Sequence, residues 1–239
     1  MRELRVAGLT TRLTGGTDGH GSGDGPVVIL LHGYGAPGND LVPLADVLSR
    51  PGGARWIFPE GPLSLNTGFG DSRAWWLIDM ARLEADRQAG RLRDLSSEVP
   101  PGLPRARQAL ETFLNALTRP LPVDFRRAVI GGFSQGAMLT CDLVMRTALP
   151  FAGLIQLSGS LLAQNEWRPS IAKRTGLPVF VSHGMQDPIL PFVMAERLRD
   201  ALIAAGLAVQ WHPFRGGHEI PEPVLTRLQG FLTKVLTAS

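Results

Sequence analysis

Short runs of β-branched and aliphatic residues recur along the chain, each bounded by glycine, proline or polar residues. The clearest run is Val27–Leu31, five consecutive apolar residues between Pro26 and His32. A continuous apolar run of this length is typical of a strand buried on both faces, as in a parallel sheet. Comparable strands are predicted at 55–58, 127–130, 153–157, 178–181 and 207–211.

Longer segments with helical periodicity lie between these strands, at about 40–49, 104–118, 135–148, 191–205 and 222–236. Strands and helices that alternate in this way predict an α/β fold with a mostly parallel central sheet and helices on both faces. Such sheets bind their ligands at the carboxyl ends of the strands.

Two segments depart from this alternation. The first dozen residues predict an edge strand, and residues 14–25 are so rich in glycine that a mobile turn without regular structure is expected. Residues 60–103 combine proline, glycine, charges and a tryptophan pair, which predicts an excursion over the active-site edge of the sheet. With 239 residues and 44% hydrophobic content, the chain fits a single domain over 1–239.

The composition excludes several classes of protein. A net charge of +3, with no basic run interleaved with aromatic residues, gives no support for binding nucleic acid. Neither a secretory signal nor an apolar stretch long enough to span a bilayer is present, which predicts a soluble, cytoplasmic protein without stable membrane insertion. The one cysteine, Cys141, excludes an internal disulfide and is expected to be buried packing in a helix.

Residues 132–136 have the sequence GFSQG, which matches the G-x-S-x-G nucleophile elbow around Ser134. The string alone is weak support in a chain with 28 glycines, so its context decides. It directly follows the apolar strand ending at Ile130 and directly precedes a predicted helix, which is the strand-turn-helix setting of this motif. The residues therefore predict the α/β-hydrolase fold, with Ser134 as nucleophile.

A serine hydroxyl needs a base to take its proton, and that base needs a group to orient it. His218 lies in a glycine-containing loop after the last predicted strand and is the strongest candidate among the five histidines. His20 lies in the predicted mobile turn, His212 lies in or beside a strand, and His32 and His183 each begin a His-Gly turn.

Asp187 follows another apolar strand and precedes a proline, which restricts its backbone. The alternative role for this residue is an aspartate that caps the next helix. The chain order Ser134, Asp187, His218 is the order found in α/β-hydrolases, and it favours a catalytic triad. The oxyanion donors expected in this fold are the backbone N–H groups of Gln135, after the nucleophile, and Tyr34, after an early strand.

Taken together, these motifs resemble the phospholipase/carboxylesterase family of α/β-hydrolases, which contains bacterial carboxylesterases and acyl-protein thioesterases. The resemblance implies the same triad and oxyanion pair, and no metal or organic cofactor. It covers nearly the whole chain and is carried by LLHGYG at 30–35, RAWW at 73–76, GGFSQGA at 131–137, LSG at 157–159, HG and DP at 183–188, Pro191, and GHEI at 217–220.

The chain departs from the eukaryotic thioesterases over residues 77–103, where an arginine-rich, helical segment is predicted. Its arginines, interleaved with acidic residues, favour a solvated helix face over a site for an anionic substrate or a membrane surface. Trp75 and Trp76 are candidate substrate-binding residues, with packing at the sheet edge as the equal alternative.

We therefore expect a serine carboxylesterase that hydrolyses small to medium acyl esters through an acyl-enzyme. The expected binding partner of the protein is a small-molecule ester. The sequence does not determine the oligomeric state, and a homodimer is one of the alternatives. The alternatives are a lysophospholipase, an acyl-protein thioesterase and, more remotely, a non-catalytic ligand-binding protein of the same fold. An intact triad argues against the last, because a binding protein needs no nucleophile with its base.

Overall fold

The structure is a computed structural model that describes residues 1–48, 51–65, 71–91, 94–167 and 170–237. The strands are β1 Arg2–Val6, β2 Leu9–Gly16, β3 His20–Ser22, β4 Val27–Leu31, β5 Arg55–Pro59, β6 Leu63–Leu65, β7 Ser72–Ala74, β8 Ala128–Phe133, β9 Gly153–Leu157, β10 Pro178–Gly184 and β11 Ala208–Phe214. The helices are α1 Leu44–Val47, α2 Met80–Gln88, α3 Leu103–Leu117, α4 Gln135–Arg146, α5 Gln164–Trp167, α6 Phe192–Ala204 and α7 Glu222–Thr237.

Nine strands of the described chain form one mixed sheet in the order β1-β2-β5-β4-β8-β9-β10-β11, with β3 paired to β2. The six strands from β5 to β11 along this order are parallel to one another. β2 runs antiparallel to both β1 and β5. The parallel strands therefore end at one edge of the sheet, as the sequence predicts.

Apolar side chains of the central strands alternate between the two faces of the sheet. In β4, Ile29 packs among buried residues of α3, α4 and α6, whereas Val28 and Leu30 pack among those of α1 and α7. This alternation follows from the two-residue repeat of a strand. It confirms the predicted sheet with helices on both faces.

The N-terminal segment differs from its prediction. Instead of one edge strand and an irregular turn, the chain forms a hairpin of β1 and β2, and β3 lies inside the glycine-rich stretch. Gly15 and Gly16 continue β2 at positive φ, with a shift of register between them. The Asp18 carboxylate accepts hydrogen bonds from the backbone N–H groups of His20 and Ser22, which fixes the turn before β3.

Other boundaries also differ from the prediction. The helix expected at 40–49 is one turn, α1, preceded by hydrogen-bonded turns that include Pro37 and Pro43; residues 49 and 50 lie outside the described residues. β10 extends to Gly184, so His183 belongs to a strand and does not begin a turn. Within the described ranges, no helix has the length and apolar character that a bilayer span requires.

A buried ion pair and a hydrogen bond to the same carboxylate connect three helices, α3, α4 and α5. The fully buried carboxylate of Asp142 in α4 accepts hydrogen bonds from Arg107 Nη1 of α3 at 2.6 Å and from Trp167 Nε1 of α5 at 2.9 Å. Buried charges are tolerated when hydrogen bonds satisfy them, and removal of one partner leaves the others unsatisfied. Asp142 therefore anchors the helix that follows Ser134.

We predict that Asp142→Ala lowers the free energy of unfolding by about 3 kcal/mol, because the guanidinium and the indole lose their shared acceptor. Urea denaturation measures this change. Asp200→Ala, which removes an exposed carboxylate paired with Arg199, is the control and should change stability little. Equal, small effects of the two substitutions would contradict the anchoring role of Asp142.

Candidate active site

Ser134 lies in the turn between β8 and α4 with φ of 53° and ψ of −115°. Its backbone N–H donates to the Leu157 carbonyl at 2.9 Å, which ties the turn to the neighbouring strand β9. A non-glycine residue at such a positive φ costs on the order of 1–3 kcal/mol and persists only when its surroundings impose it. This is the geometry of a nucleophile elbow, which lifts the side chain out of the sheet.

Two glycines make this turn possible. A Cβ atom at Gly132 or at Gly136 would overlap the same atom, the carbonyl oxygen of Leu31 at the end of β4. Only residues without a side chain let the elbow approach the adjacent strand so closely. The motif therefore requires glycine at these two positions because β4 lies so close to the start of α4.

His218 and Asp187 meet above the sheet. His218 Nδ1 lies 2.6 Å from Asp187 Oδ2; the carboxylate is fully buried, and the imidazole is 12% exposed. The imidazole also packs against the Phe133 ring, with centroids 4.7 Å apart, next to Ser134 in the chain. The structure therefore brings the predicted base and orienting group together at the elbow.

The loops that carry these two residues are hydrogen-bonded to each other. The N–H groups of Met185 and Gln186 donate to the carbonyls of Phe214 and Gly216, at 2.9 and 3.0 Å. The Gln186 side chain in turn accepts from the Gly216 N–H at 2.7 Å. The loop after β10 and the loop after β11 therefore form one hydrogen-bonded unit, which fixes the distance between acid and base.

Burial alone would raise the pKa of Asp187, yet the pKa lies below the ordinary aspartate value. The hydrogen bond and charge of His218 lower it, as do the backbone N–H groups of Leu190 and Ile189 at 2.9 and 2.8 Å. Donors directed at a carboxylate favour its charged form. Asp187 is therefore ionised at neutral pH and can support an imidazolium.

Ser134 and His218 line a common cavity of about 440 Å³. Tyr34 and Gln135, the predicted oxyanion donors, also line this cavity. Its remaining walls are mainly apolar, and most come from the segment between β7 and α3 and from the loop before α6. These wall residues are Trp76, Leu77, Ile78, Met80, Leu83, Leu95, Pro100, Pro101, Met138, Ile189 and Leu190.

The backbone around both predicted donors is well defined. Gln135 is the first residue of α4, where the N–H has no partner within the helix and the helix dipole favours negative charge. The loop that carries Tyr34 is fixed by Arg73, whose carbonyl accepts from the Gly35 N–H and whose N–H donates to the Ala36 carbonyl, at 2.8 and 3.0 Å.

The structure separates the two candidate tryptophans. Trp76 lines the cavity, whereas Trp75 is buried beside it and donates its indole N–H to the His32 carbonyl at 3.0 Å. The Gln135 side chain binds the backbone of both tryptophans. It accepts from the backbone N–H of Trp75 at 2.9 Å and donates to the backbone carbonyl of Trp76 at 2.8 Å. These contacts favour the packing alternative for Trp75.

The sequence predicts a role for the backbone N–H of Gln135 but none for its side chain. The chain position beside a candidate nucleophile draws attention to the amide N–H alone. Its partners lie 60 and 59 residues away, so no local pattern reveals them.

The other histidines have structural environments. His32 is buried, with Nδ1 2.8 Å from the Gly33 carbonyl and Nε2 accepting from the Gly61 N–H at 2.9 Å. Burial lowers the pKa of His32, so it is a neutral ring with both nitrogens engaged. His212 stacks on Phe180 within the sheet, and His20 contacts the N-terminal amine.

Two minor predictions concern Cys141 and the arginine-rich segment. Cys141 is fully buried, and burial raises the pKa of its thiol, which favours packing over nucleophilic chemistry. In the segment, Arg82 is 63% exposed and pairs with Glu98 at 2.8 Å, and Arg91 pairs with Asp86. These pairs fit a solvated face; Arg93 and the side chain of Arg87 lie outside the described residues. No cluster in the described ranges has the three His, Cys, Asp or Glu side chains needed to hold a metal ion.

The parallel sheet, the elbow after β8 and the paired loops after β10 and β11 define the class of serine hydrolases with the α/β-hydrolase fold. Comparison with known sequences identifies the family: a model described as phospholipase/carboxylesterase matches residues 21–236, so the chain belongs to this family. Membership confirms the predicted enzyme class, a serine hydrolase that acts on carboxylic ester or thioester bonds.

Individual proteins agree with this assignment. The chain is 28% identical over 192 residues to acyl-protein thioesterase 1 of Cryptococcus neoformans, which covers 74% of this chain and 72% of that protein. The crystal structure of esterase PE8 superposes with a TM-score of 0.76 and 26% identity, over 94% of this chain and all of that one. A Bacillus cereus carboxylesterase, at 20% identity and a TM-score of 0.70 over 95% of this chain and 94% of that one, shares the fold.

We predict that Gly136→Ala lowers kcat by about 100-fold, because the new methyl group meets the Leu31 carbonyl and displaces the elbow. Hydrolysis of p-nitrophenyl acetate measures the effect. Gly230→Ala is the matched control, since Gly230 also lies in a helix but faces open space. An unchanged kcat in Gly136→Ala would show that the elbow does not depend on this contact.

Proposed function

We propose that the protein is a serine carboxylesterase that hydrolyses small to medium acyl esters, with Ser134 as nucleophile, His218 as base and Asp187 as orienting group. One observation carries this proposal. His218 is hydrogen-bonded to Asp187 at 2.6 Å and lines the same cavity as Ser134. The proximity of three candidate side chains from three separate loops supports the proposed roles.

In the proposed mechanism, the Ser134 hydroxyl attacks the ester carbonyl carbon while His218 Nε2 takes its proton. The tetrahedral intermediate collapses, the alcohol leaves with the proton returned by His218, and the acyl group stays on Ser134. Water then attacks the acyl-enzyme while His218 takes a proton from it, and the acid departs as Ser134 regains its hydrogen. Asp187 holds the imidazole in the required tautomer throughout.

The negative oxygen of both tetrahedral intermediates needs donors placed beforehand. We assign this role to the backbone N–H groups of Tyr34 and Gln135, which line the cavity next to Ser134. Each such donor contributes about 3 kcal/mol to transition-state stabilisation. The Gln135 side chain supports this arrangement, because its bonds to the backbone of Trp75 and Trp76 fix the adjacent wall.

The substrate class follows from the cavity walls. Their mainly apolar side chains favour an uncharged acyl chain, and a volume of about 440 Å³ is within the range of small-molecule sites. Trp76, Met138 and Leu83 are the side chains proposed to contact this chain. Residues 60–103 supply much of the wall, in keeping with their proposed place over the active-site edge.

A second candidate function is thioester hydrolysis. The curated relative from Cryptococcus neoformans is named acyl-protein thioesterase 1, and a second relative of that name, from Neurospora crassa, is 26% identical over 87% of this chain. An acyl-enzyme forms equally from an ester or a thioester, because the same carbonyl is attacked. Lysophospholipids are a further class of ester that the apolar cavity favours.

We further propose that the enzyme acts in the cytoplasm on small-molecule esters, without nucleic acid. Arg82 of α2 and Arg91 after it are paired with Glu98 and Asp86, which supports a solvated surface over a polyanion site.

Ser134→Ala should lower kcat about a million-fold, because the variant lacks the hydroxyl on which the acyl intermediate is proposed to form. The measurement is hydrolysis of p-nitrophenyl esters from acetate to palmitate, with matched thioesters and a lysophospholipid alongside. Ser64→Ala, at an exposed serine of β6, is the control. Full activity in Ser134→Ala would contradict the mechanism, and the preferred substrate series decides between esterase, thioesterase and lysophospholipase.

Met138→Ala should shift the preferred acyl chain to greater length, since Met138 lines the cavity and its removal enlarges the space near Ser134. We expect the ratio of kcat/KM for octanoate to that for acetate to rise about tenfold. Met185→Ala is the matched control, because Met185 is 41% exposed and does not line the cavity. If the octanoate-to-acetate ratio of kcat/KM were the same in both variants, the acyl chain would not contact Met138.

A further inference from the structure

His183 lies behind the candidate triad and has no role in the mechanism above. It is the second-last residue of β10, and its side chain is fully buried. Its Nε2 atom lies 2.8 Å from the Leu190 carbonyl oxygen and 3.3 Å from Asp187 Oδ2. A single ring nitrogen therefore faces two acceptors, one of which is the candidate orienting carboxylate.

The partners determine where the proton of His183 lies. The Leu190 carbonyl can only accept, so Nε2 must carry the hydrogen and donate it. Nδ1 has no hydrogen-bond partner among the described residues. Burial lowers the pKa of His183, and the nearby charge of His218 lowers it further, whereas the Leu190 backbone, the charge of Asp187 and the Gly159 backbone act in the opposite direction. The ring is therefore a neutral donor, and the Phe192 ring packs against it.

The Asp187 carboxylate receives donors on both oxygens. Oδ1 accepts the backbone N–H groups of Ile189 and Leu190, and Oδ2 accepts His218 Nδ1 at 2.6 Å. His183 Nε2, which donates to the Leu190 carbonyl, lies 3.3 Å from the same Oδ2 atom. The backbone donors fix one end of the carboxylate. His183 and His218 are the side chains that approach the other end.

His183 also connects this carboxylate to the substrate cavity. The carbonyl that accepts the His183 Nε2–H belongs to Leu190. This residue forms part of the cavity wall together with Ile189. The imidazole of His183, at the end of β10, is thus hydrogen-bonded to the backbone of Leu190 in the loop before α6. This ring therefore contacts both the carboxylate and the backbone of the cavity wall.

We infer that His183 is a positioning residue, whose Nε2–H directs Asp187 Oδ2 toward His218 and fixes the Leu190 wall of the cavity. The inference rests on the proposed function of Asp187 and His218. His183 itself touches no reacting atom, so it acts through the orientation of the carboxylate. The alternative is a buried histidine that only fills space.

Two amide substitutions distinguish these roles. In His183→Gln, the side-chain N–H can reach the position of Nε2, whereas in His183→Asn it stands near Nδ1, which has no partner. Both variants are polar and smaller than histidine. We expect His183→Asn to lose about tenfold to 100-fold in kcat with little change in KM, and His183→Gln to recover most of that loss. Thermal melting of both variants accompanies the kinetics.

Equal losses in the two variants, or wild-type kcat in His183→Asn, would overturn the inference. Nitrogen-15 NMR of histidine in the wild-type enzyme tests it without any substitution. A protonated Nε2 on His183 is required, and a protonated Nδ1 in its place would overturn the inference even if a variant failed to fold. Ester hydrolysis that survives Ser134→Ala would instead refute the proposed function, and the NMR result would stand apart from it.

Discussion

The backbone of Ser134 can keep its positive φ only because β4, β8 and β9 lie side by side at the centre of the sheet. The Leu157 carbonyl of β9 accepts the Ser134 N–H, and the Leu31 carbonyl of β4 faces the two glycines of the elbow. Neither contact exists in an isolated strand-turn-helix unit. The strained turn is therefore a property of the assembled sheet, and the start of α4 and its N-terminal N–H group depend on it.

The candidate acid and base depend on a second constraint, the pairing of the loops after β10 and β11. Because these strands are parallel neighbours, their carboxyl ends lie side by side, and hydrogen bonds between the loops set the distance from Asp187 to His218. The donors around Asp187 keep it ionised despite its burial. Asp187 thus combines low exposure with retained charge, the combination that a carboxylate orienting a histidine base requires.

The sequence predicts the parts of this arrangement that depend on local pattern. Apolar runs locate the central strands, and glycine-containing turns after them locate Ser134, Asp187 and His218. Features that depend on distant partners are not predictable in this way. Gln135 binds the backbone of Trp75 and Trp76 through hydrogen bonds between residues about sixty positions apart. His183 belongs to a strand because β11 pairs with β10 as far as Gly184.

The N-terminal region shows the same limit. The glycine-rich stretch around Gly15 and Gly16 suggests an irregular turn, yet β5 and the Ala54 carbonyl offer it partners that extend β2. Conversely, the helical pattern at 40–49 yields one turn, since the prolines at 37 and 43 favour turns over a longer helix.

Covalent labelling of the intact protein with a fluorophosphonate, located by mass spectrometry of its peptides, tests the central claim most directly. An activated serine expels fluoride and forms a phosphonate ester on its oxygen. The account predicts one adduct per chain, on the peptide that contains Ser134, and greatly slowed labelling in His218→Ala. No adduct, an adduct on another residue, or labelling of His218→Ala at the wild-type rate would contradict it.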